Sequence, residues 1–146
     1  MAEHPPRFAS SASGLRTRKV IRLITLVYAL VLTYVSLAPG QQIPGIFDWS
    51  ELFSPDKIAH FGAYAFFAVL LSFAIGKASP GKRTATAVLA AALFGALMEV
   101  LQGVSGLGRE FDLVDMVANL IGAILGGAFY LLYRQIVYKY LTPVGS

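Results

Sequence analysis

The chain has 146 residues, the length of a single domain, and 56% of them are hydrophobic whereas only 14% are charged. A soluble domain carries about 25% charged residues, so this chain lacks the polar side chains needed to cover a globule in water. The absence of cysteine excludes disulfides, thiolate metal ligands and a cysteine nucleophile. The apolar residues lie in long blocks, which indicates lipid as the solvent, and no feature indicates a nucleic-acid partner.

The first apolar block, residues 20–38, follows a segment that we predict to be a disordered basic tail. That segment, residues 1–19, is rich in Pro, Ser and Ala and ends in a basic cluster. The block matches the roughly 20 residues that a helix needs to cross a hydrocarbon core about 30 Å thick. A cleaved signal peptide is the alternative, because Ser36-Leu37-Ala38 resembles a cleavage site. Against it, the block is longer than such signals usually are, and Pro39 would follow the cut.

Three further apolar blocks predict membrane-spanning helices at about 57–76, 84–105 and 112–133. Ser54-Pro55-Asp56 is a good start for the second helix, with a cap, a proline at the first position and an acid at the positive end of the dipole. Residues 134–146 form a short C-terminal tail. We therefore expect an all-α polytopic membrane protein, a four-transmembrane-helix bundle that occupies residues 20–133.

Lysine and arginine are unevenly distributed around these blocks. The segment before the first helix, the connection 77–83 and the C-terminal flank are basic. The connections 39–57 and 106–112 each carry one basic residue and more acidic ones. Basic residues flank membrane helices mainly on the cytoplasmic side, so this alternation predicts that both termini are cytoplasmic and that the second and fourth helices begin at the outer surface.

Polar residues recur at helical spacing near the predicted outer ends of three helices. They are Lys57, His60 and Tyr64 on helix two, Glu99 and Gln102 on helix three, and Asp112, Asp115 and Asn119 on helix four, with Arg109 in the preceding connection. Residues three or four apart share one helix face. Gly122 and Gly126 continue the stripe on helix four, and small residues at this spacing let another helix approach closely. The polar face should therefore be the packing face.

Most of these residues also have an ordinary structural explanation. Asp112 and Asp115 could cap helix four or interact with its dipole. Lys57 could extend to the membrane interface, and Tyr64 could be a packed aromatic residue. Glu99 is harder to explain in this way, because a carboxylate within an apolar span should be paired, protonated or functional.

Charge counting leaves the constellation with a surplus of about two negative charges if every group is ionised. The acids are Asp56, Glu99, Asp112 and Asp115, and the bases are Lys57 and Arg109. Protonation or a bound cation could offset this surplus. His60 with Glu99 and Asp115 is a suitable ligand set for a divalent metal ion, although the sequence identifies no cofactor.

The order of these residues resembles the VanZ-like family of bacterial integral membrane proteins. The matching motifs are Asp56-Lys57-x-x-His60, Glu99-x-x-Gln102 and Arg109-x-x-Asp112-x-x-Asp115-x-x-x-Asn119. The resemblance covers roughly residues 20–133. It implies a location in the bacterial cytoplasmic membrane and a role in the cell envelope, because the family's namesake is associated with low-level teicoplanin resistance. It implies no particular reaction.

Three functions are compatible with this sequence. The first is binding of an envelope lipid or cell-wall precursor at the outer-leaflet site, with an influence on glycopeptide susceptibility. Its contact residues would be Lys57, Gln102, Arg109, Asp112 and Asn119. The second is a membrane-embedded hydrolase or transferase that acts on a phosphate-bearing lipid head group. Glu99, His60 and Asp115 would be catalytic there, and Lys57 and Arg109 would hold the phosphate.

The third function is an ion or proton pathway, which we rank last because the inner halves of the spans carry almost no polar groups. The sequence leaves open whether the protein is an enzyme and what its oligomeric state is. The lipid bilayer is its expected partner.

Overall fold

The computed structural model of the chain describes residues 8–38, 55–76, 78–106, 108 and 111–141. The described residues form four helices, which are α1 (Phe8–Leu37), α2 (Pro55–Ala74), α3 (Pro80–Ser105) and α4 (Leu113–Leu141). Each helix contains a stretch that is long and apolar enough to cross a membrane, at Leu15–Leu37, Lys57–Ala74, Pro80–Ser105 and Leu113–Tyr140. The predicted all-α fold with four membrane helices is confirmed.

The first helix begins earlier than the apolar pattern predicts. It starts at Phe8, so the described part of the segment 1–19 is helical and our prediction of disorder is wrong there. The two prolines at positions 5 and 6 are the last before the helix, and extending an existing helix requires only one further hydrogen bond per residue. At 1.5 Å per residue α1 is about 45 Å long, which exceeds a hydrocarbon core of about 30 Å.

The helices α3 and α4 also extend beyond their predicted boundaries, for a related reason. The fourth helix continues to Leu141, so the predicted tail 134–146 is helical as far as that residue. The third begins at Pro80 instead of residue 84, with Ser79 as its N-cap, and ends at Gly106 with φ +66°. The apolar pattern ends at the first charged residues, whereas a helix can continue through charged residues until a residue such as proline interrupts it. Predictions for residues 1–7, 39–54 and 142–146, including a cap at Ser54, lie outside the described residues.

The second helix is central to the bundle, because it packs most extensively against α4 and also contacts α3 and α1. The core between the helices consists mainly of aromatic residues and residues with small side chains: Leu32, Tyr64, Phe67, Ala68, Ala91 and Ala123. Large apolar residues such as Leu23, Leu93 and Phe129 are exposed on the outside of the bundle. Exposed apolar surface on every helix is what a bundle surrounded by lipid tails requires.

Close contact between α2 and α4 depends on glycine. A Cβ atom added at Gly122 would overlap the carbonyl oxygen of Phe61, and one added at Gly126 would overlap that of Ala65. The two backbones therefore approach more closely than any side chain on α4 would allow. This confirms that the stripe of small residues continuing from Asp115 and Asn119 is a packing face.

The two ends of the bundle differ in charge. At the end where α2 finishes, Arg22 Nε of α1 donates a hydrogen bond to the carbonyl oxygen of Ala74, over 3.2 Å. Arg83 Nε donates to the carbonyl of Ala78 over 2.7 Å. We call this end, where α1 and α3 begin and α2 and α4 finish, the basic end. The opposite end, where α2 and α4 begin, is the polar end.

Candidate functional site

Six polar side chains from three helices meet at the polar end of the bundle. We call this group the polar cluster; its members are Lys57 and His60 of α2, Glu99 of α3, Asp112, Asp115 and Asn119. Asp112 directly precedes α4, and the last two residues lie on it. These side chains lie at the same depth along the bundle, as the helical spacing in the sequence predicted.

The ammonium group of Lys57 lies between two carboxylates. Its Nζ atom is 2.5 Å from Asp112 Oδ2 and 2.5 Å from Asp115 Oδ1. The lysine side chain is buried, so it does not extend to the interface as the alternative explanation proposed. Because both carboxylates already compensate its charge, Lys57 is poorly placed to hold a phosphate group as well.

Asp112 caps α4 and joins the cluster at the same time. Its Oδ1 atom accepts a hydrogen bond from the backbone N–H of Val114, over 2.7 Å, while Oδ2 pairs with Lys57. Burial by itself would raise the pKa of this carboxyl, but the hydrogen bonds from Lys57 and Val114 outweigh it and lower the pKa below its ordinary value. The capping explanation and the cluster explanation of Asp112 are therefore both correct.

His60 is held by Asn119 and faces Asp115. Its Nδ1 atom lies 3.2 Å from Asn119 Oδ1, and its Nε2 atom lies 3.8 Å from Asp115 Oδ2. An amide oxygen can only accept a hydrogen bond, so Nδ1 is the nitrogen that carries the proton. In a neutral imidazole Nε2 then presents a lone pair toward the carboxylate.

Glu99 is the most deeply buried charged group of the cluster, with 1% of its surface exposed. Its Oε2 atom accepts a long hydrogen bond of 3.4 Å from the backbone N–H of Asp112. Its Oε1 atom is buried and has no hydrogen-bond partner in the described part of the chain. A carboxylate oxygen in this state is unfavourable unless it is protonated or bound to something that the protein itself does not supply.

Three members of the cluster have the composition of a metal site. One ligand atom each from His60, Glu99 and Asp115 lies within 4.8 Å of the others. The cluster contains three carboxylates and a single ammonium group, which leaves two negative charges uncompensated if all are ionised. The arrangement can therefore accept a cation or protons.

Gln102 lies beside the cluster and has a structural contact. Its Nε2 atom donates a hydrogen bond of 2.8 Å to the backbone carbonyl of Ser36, near the end of α1. We predicted Gln102 as a ligand contact, and the structure shows it joining α3 to α1. The sequence offered no signal for the partner, because any residue type supplies a backbone carbonyl.

Two neighbours of the cluster complete its surroundings. Tyr64 packs against Phe67 and Phe94, with ring centroids 6.5 Å apart in each pair, which confirms it as a packed aromatic residue. Gly95, which we did not predict, lies where a Cβ atom would come within 3.0 Å of both Asn119 Cβ and Tyr64 Cε1. Of the remaining predicted site residues, Arg109 lies outside the described residues.

The fold and the cluster define a class of protein, a helical membrane protein with four spans and a buried ionisable cluster at one end of the bundle. The sequence model of the VanZ/LLP1 family matches residues 7–134, and the chain belongs to this family. The protein C11E3.10 of Schizosaccharomyces pombe is 29% identical over 119 residues, which cover 81% of this chain and 67% of the yeast protein. The relationship is thus not confined to bacteria. No solved structure matches the chain.

Proposed function

We propose that the protein binds a phosphate-bearing membrane lipid by its head group, at the polar cluster. The observation that carries this proposal is the burial of Lys57, Glu99 and Asp115, beside partly buried His60 and Asp112, at a single end of an otherwise apolar bundle. Charged groups inside a bilayer cost roughly 2.5–3.5 kcal/mol each on insertion scales, and those that persist usually face a ligand or a partner. Head groups are the polar ligands available at the depth where helices enter a bilayer.

The charge of the two ends supports an outward-facing cluster. Arg22 and Arg83 make their hydrogen bonds at the basic end, and Arg16, Arg18 and Lys19 lie in the first turns of the α1 span, at the same end. Lysine and arginine gather on the cytoplasmic side of membrane proteins. The polar cluster would then lie in the outer leaflet, in contact with envelope lipids or cell-wall precursors.

The charge balance of the cluster restricts how a phosphate could bind. Lys57 is already paired with Asp112 and Asp115, and the cluster retains two negative charges when its three carboxylates are ionised and His60 is neutral. A phosphate would be repelled unless further positive charge is supplied. Arg109, three residues before Asp112 in the sequence, is one source, and a bound cation is another.

Native mass spectrometry of the purified protein tests lipid binding directly. The chain would be released from detergent after exposure to phosphatidylethanolamine, phosphatidylglycerol or diacylglycerol, which lacks phosphate. We expect retention of a phosphate-bearing lipid over diacylglycerol, and loss of this preference in Arg109→Ala, because that variant removes a positive charge proposed to offset the surplus of carboxylates. Ser72→Ala is a matched control, because Ser72 is buried on α2 but donates only to its own helix, at the carbonyl of Ala68. Equal retention of all three lipids would exclude the proposal.

A membrane-embedded hydrolase or transferase is the second candidate. The specific observation in its favour is the position of His60 Nε2, 3.8 Å from Asp115 Oδ2, since an imidazole nitrogen beside a carboxylate can take a proton from water or an alcohol. The test is release of the head group or phosphate from labelled lipid in nanodiscs. We expect product from the wild type and none from His60→Gln if the protein is an enzyme, and no product from either if it only binds lipid.

An altered susceptibility to glycopeptides is a consequence that we propose for a bacterial host. Sequestration of an envelope lipid or precursor would change the target of the antibiotic. We expect the teicoplanin inhibitory concentration to rise with the wild type and to stay at the vector level with Arg109→Ala at matched expression. An increase that survives this substitution would separate any resistance from the cluster.

An ion or proton pathway has less support. Toward the basic end, the buried hydroxyls of Thr25 and Ser72 donate to carbonyls of their own helices, those of Ile21 and Ala68. Among the described residues, the buried charged groups all lie at the polar end. A pathway needs polar groups through the full depth of the membrane.

A further inference from the structure

We propose that His60, Glu99 and Asp115 bind a divalent transition-metal ion of the Zn²⁺ or Mn²⁺ class. The inference does not depend on lipid binding and adds a metal ion to the polar cluster. One nitrogen and two carboxylate oxygens from α2, α3 and α4 form a mixed ligand set that such ions favour.

Each of the three side chains turns one atom toward the other two and has its second atom near another group of the protein. Asp115 pairs through Oδ1 with Lys57, which leaves Oδ2 toward His60. Glu99 accepts a backbone hydrogen bond at Oε2, which leaves the buried Oε1 without a partner. Ligands oriented in this way by their second atom are what established metal sites show.

The histidine shows the same arrangement. Its Nδ1–H donates to Asn119 Oδ1, which directs Nε2 toward the carboxylate of Asp115 at 3.8 Å. When the imidazole is neutral, its lone pair and the anionic oxygen repel each other, and a cation between them would turn this repulsion into coordination. Metal-bound histidines almost always donate their other ring N–H to a fixed acceptor, which here is Asn119.

Charge and distance agree with a doubly charged ion. The cluster has two uncompensated negative charges when its three carboxylates and Lys57 are ionised, and a divalent ion would neutralise them. Ligands of a tetrahedral ion at about 2.0–2.2 Å lie roughly 3.3–3.6 Å from one another. The distance of 3.8 Å between His60 and Asp115, and the limit of 4.8 Å for all three ligand atoms, exceed these separations by only about 0.2–1.5 Å.

The metal content of the purified full chain tests the inference. The protein would be prepared without a histidine tag, stripped with EDTA, equilibrated with Zn²⁺, separated from free ion and measured by plasma mass spectrometry. We expect about one Zn²⁺ per chain, as for a single mononuclear site. Less than about one fifth of an ion per chain, for both Zn²⁺ and Mn²⁺, would overturn the proposal.

Three variants and one control assign the ligands. We expect Glu99→Gln, Asp115→Asn and His60→Gln each to lose stoichiometric metal, and Ser72→Ala to keep it, because Ser72 lies about 18 Å along α2 from His60. Full metal content in all three ligand variants would refute the assignment. The visible absorption of the Co²⁺ form, which reports nitrogen and oxygen coordination, should disappear in the same variants.

Thermal unfolding distinguishes loss of metal binding from loss of folding if a ligand variant is unstable. In EDTA, Glu99→Gln should unfold at or above the wild-type temperature, because the substitution removes an unpaired buried carboxylate. Added Zn²⁺ should raise the unfolding temperature of the wild type and leave that of Glu99→Gln unchanged. A variant that unfolds earlier in EDTA, together with a wild type that does not respond to Zn²⁺, would identify Glu99 as a structural, protonated residue.

These measurements use lipid-free detergent, whereas the lipid assay can be run in EDTA, so the two proposals can fail separately.

Discussion

His60 Nδ1 lies 3.2 Å from Asn119 Oδ1, and this contact joins α2 to α4 at the polar cluster. It decides which nitrogen of the imidazole carries the proton, and therefore which one faces Asp115. A residue on one helix thus sets the chemistry of a side chain on another.

Replacing Asn119 by leucine should weaken metal binding without removing a ligand. Leucine has a similarly branched side chain, although a larger one, and cannot accept the hydrogen bond from His60, so the imidazole loses its orientation. Loss of such outer contacts typically lowers metal affinity by about 10–100-fold. Titration with Co²⁺ measures the change, and Asn119→Asp, which keeps an acceptor oxygen, should retain binding. Equal affinity of the leucine variant and the wild type would show that Asn119 has no positioning role.

Replacing Lys57 by methionine should destabilise the protein strongly. The substitution leaves Asp112 and Asp115 without their shared cation, and breaking a buried ion pair from one side costs about 3–5 kcal/mol. Denaturant unfolding in dodecyl maltoside with EDTA measures the loss. The double variant Lys57→Met/Asp115→Asn should lose less than the sum of the two single variants, because each removes the partner of the other. Additive losses would contradict the ion pair.

Replacing Gly126 by alanine should force α2 and α4 apart. The added Cβ atom would overlap the backbone carbonyl of Ala65, which cannot rotate away. Overpacking of this kind costs typically about 1–3 kcal/mol. Gly62→Ala is the matched control, since it lies on α2 with no atom within 4 Å of the new Cβ, and it should be neutral or stabilising by up to about 1 kcal/mol. Similar unfolding temperatures for the two variants would refute the close contact.

Replacing Arg22 by methionine should loosen the end of α2. Arg22 Nε donates to the carbonyl of Ala74, which the helix leaves without an internal partner, and such a hydrogen bond contributes about 0.5–1.5 kcal/mol. Hydrogen exchange should increase over the last turn of α2 and stay unchanged at its beginning. Exposed Lys19 on the same helix provides the control Lys19→Met. Faster exchange in both variants would attribute the effect to lost charge instead of the contact.

The proposed orientation can be tested with single cysteines, because the chain contains none. Phe111→Cys at the polar end and Tyr138→Cys at the basic end occupy exposed positions. In intact cells a membrane-impermeant maleimide should label the first and not the second, and after permeabilisation it should label both. The opposite pattern would place the polar cluster on the cytoplasmic side.

The number and type of the helices were predictable from the amino-acid sequence. Apolar length and the scarcity of charge leave no soluble alternative, and these properties belong to each segment separately. Helical spacing also determined which residues share a face, so the polar stripe ending in Gly122 and Gly126 was predictable. The first helix was predicted too short, because hydropathy reports the membrane core and a helix can extend beyond it.

The pairing of the polar residues, in contrast, was not predictable and is known from the packing of the helices. The spacing on α2 presents Lys57 and His60 together, but does not reveal that Lys57 contacts Asp112 and Asp115 whereas His60 contacts Asn119. Pairing depends on the relative rotation and depth of the helices, which glycines such as Gly126 set through close backbone contact. These quantities arise between segments, and no single segment encodes them.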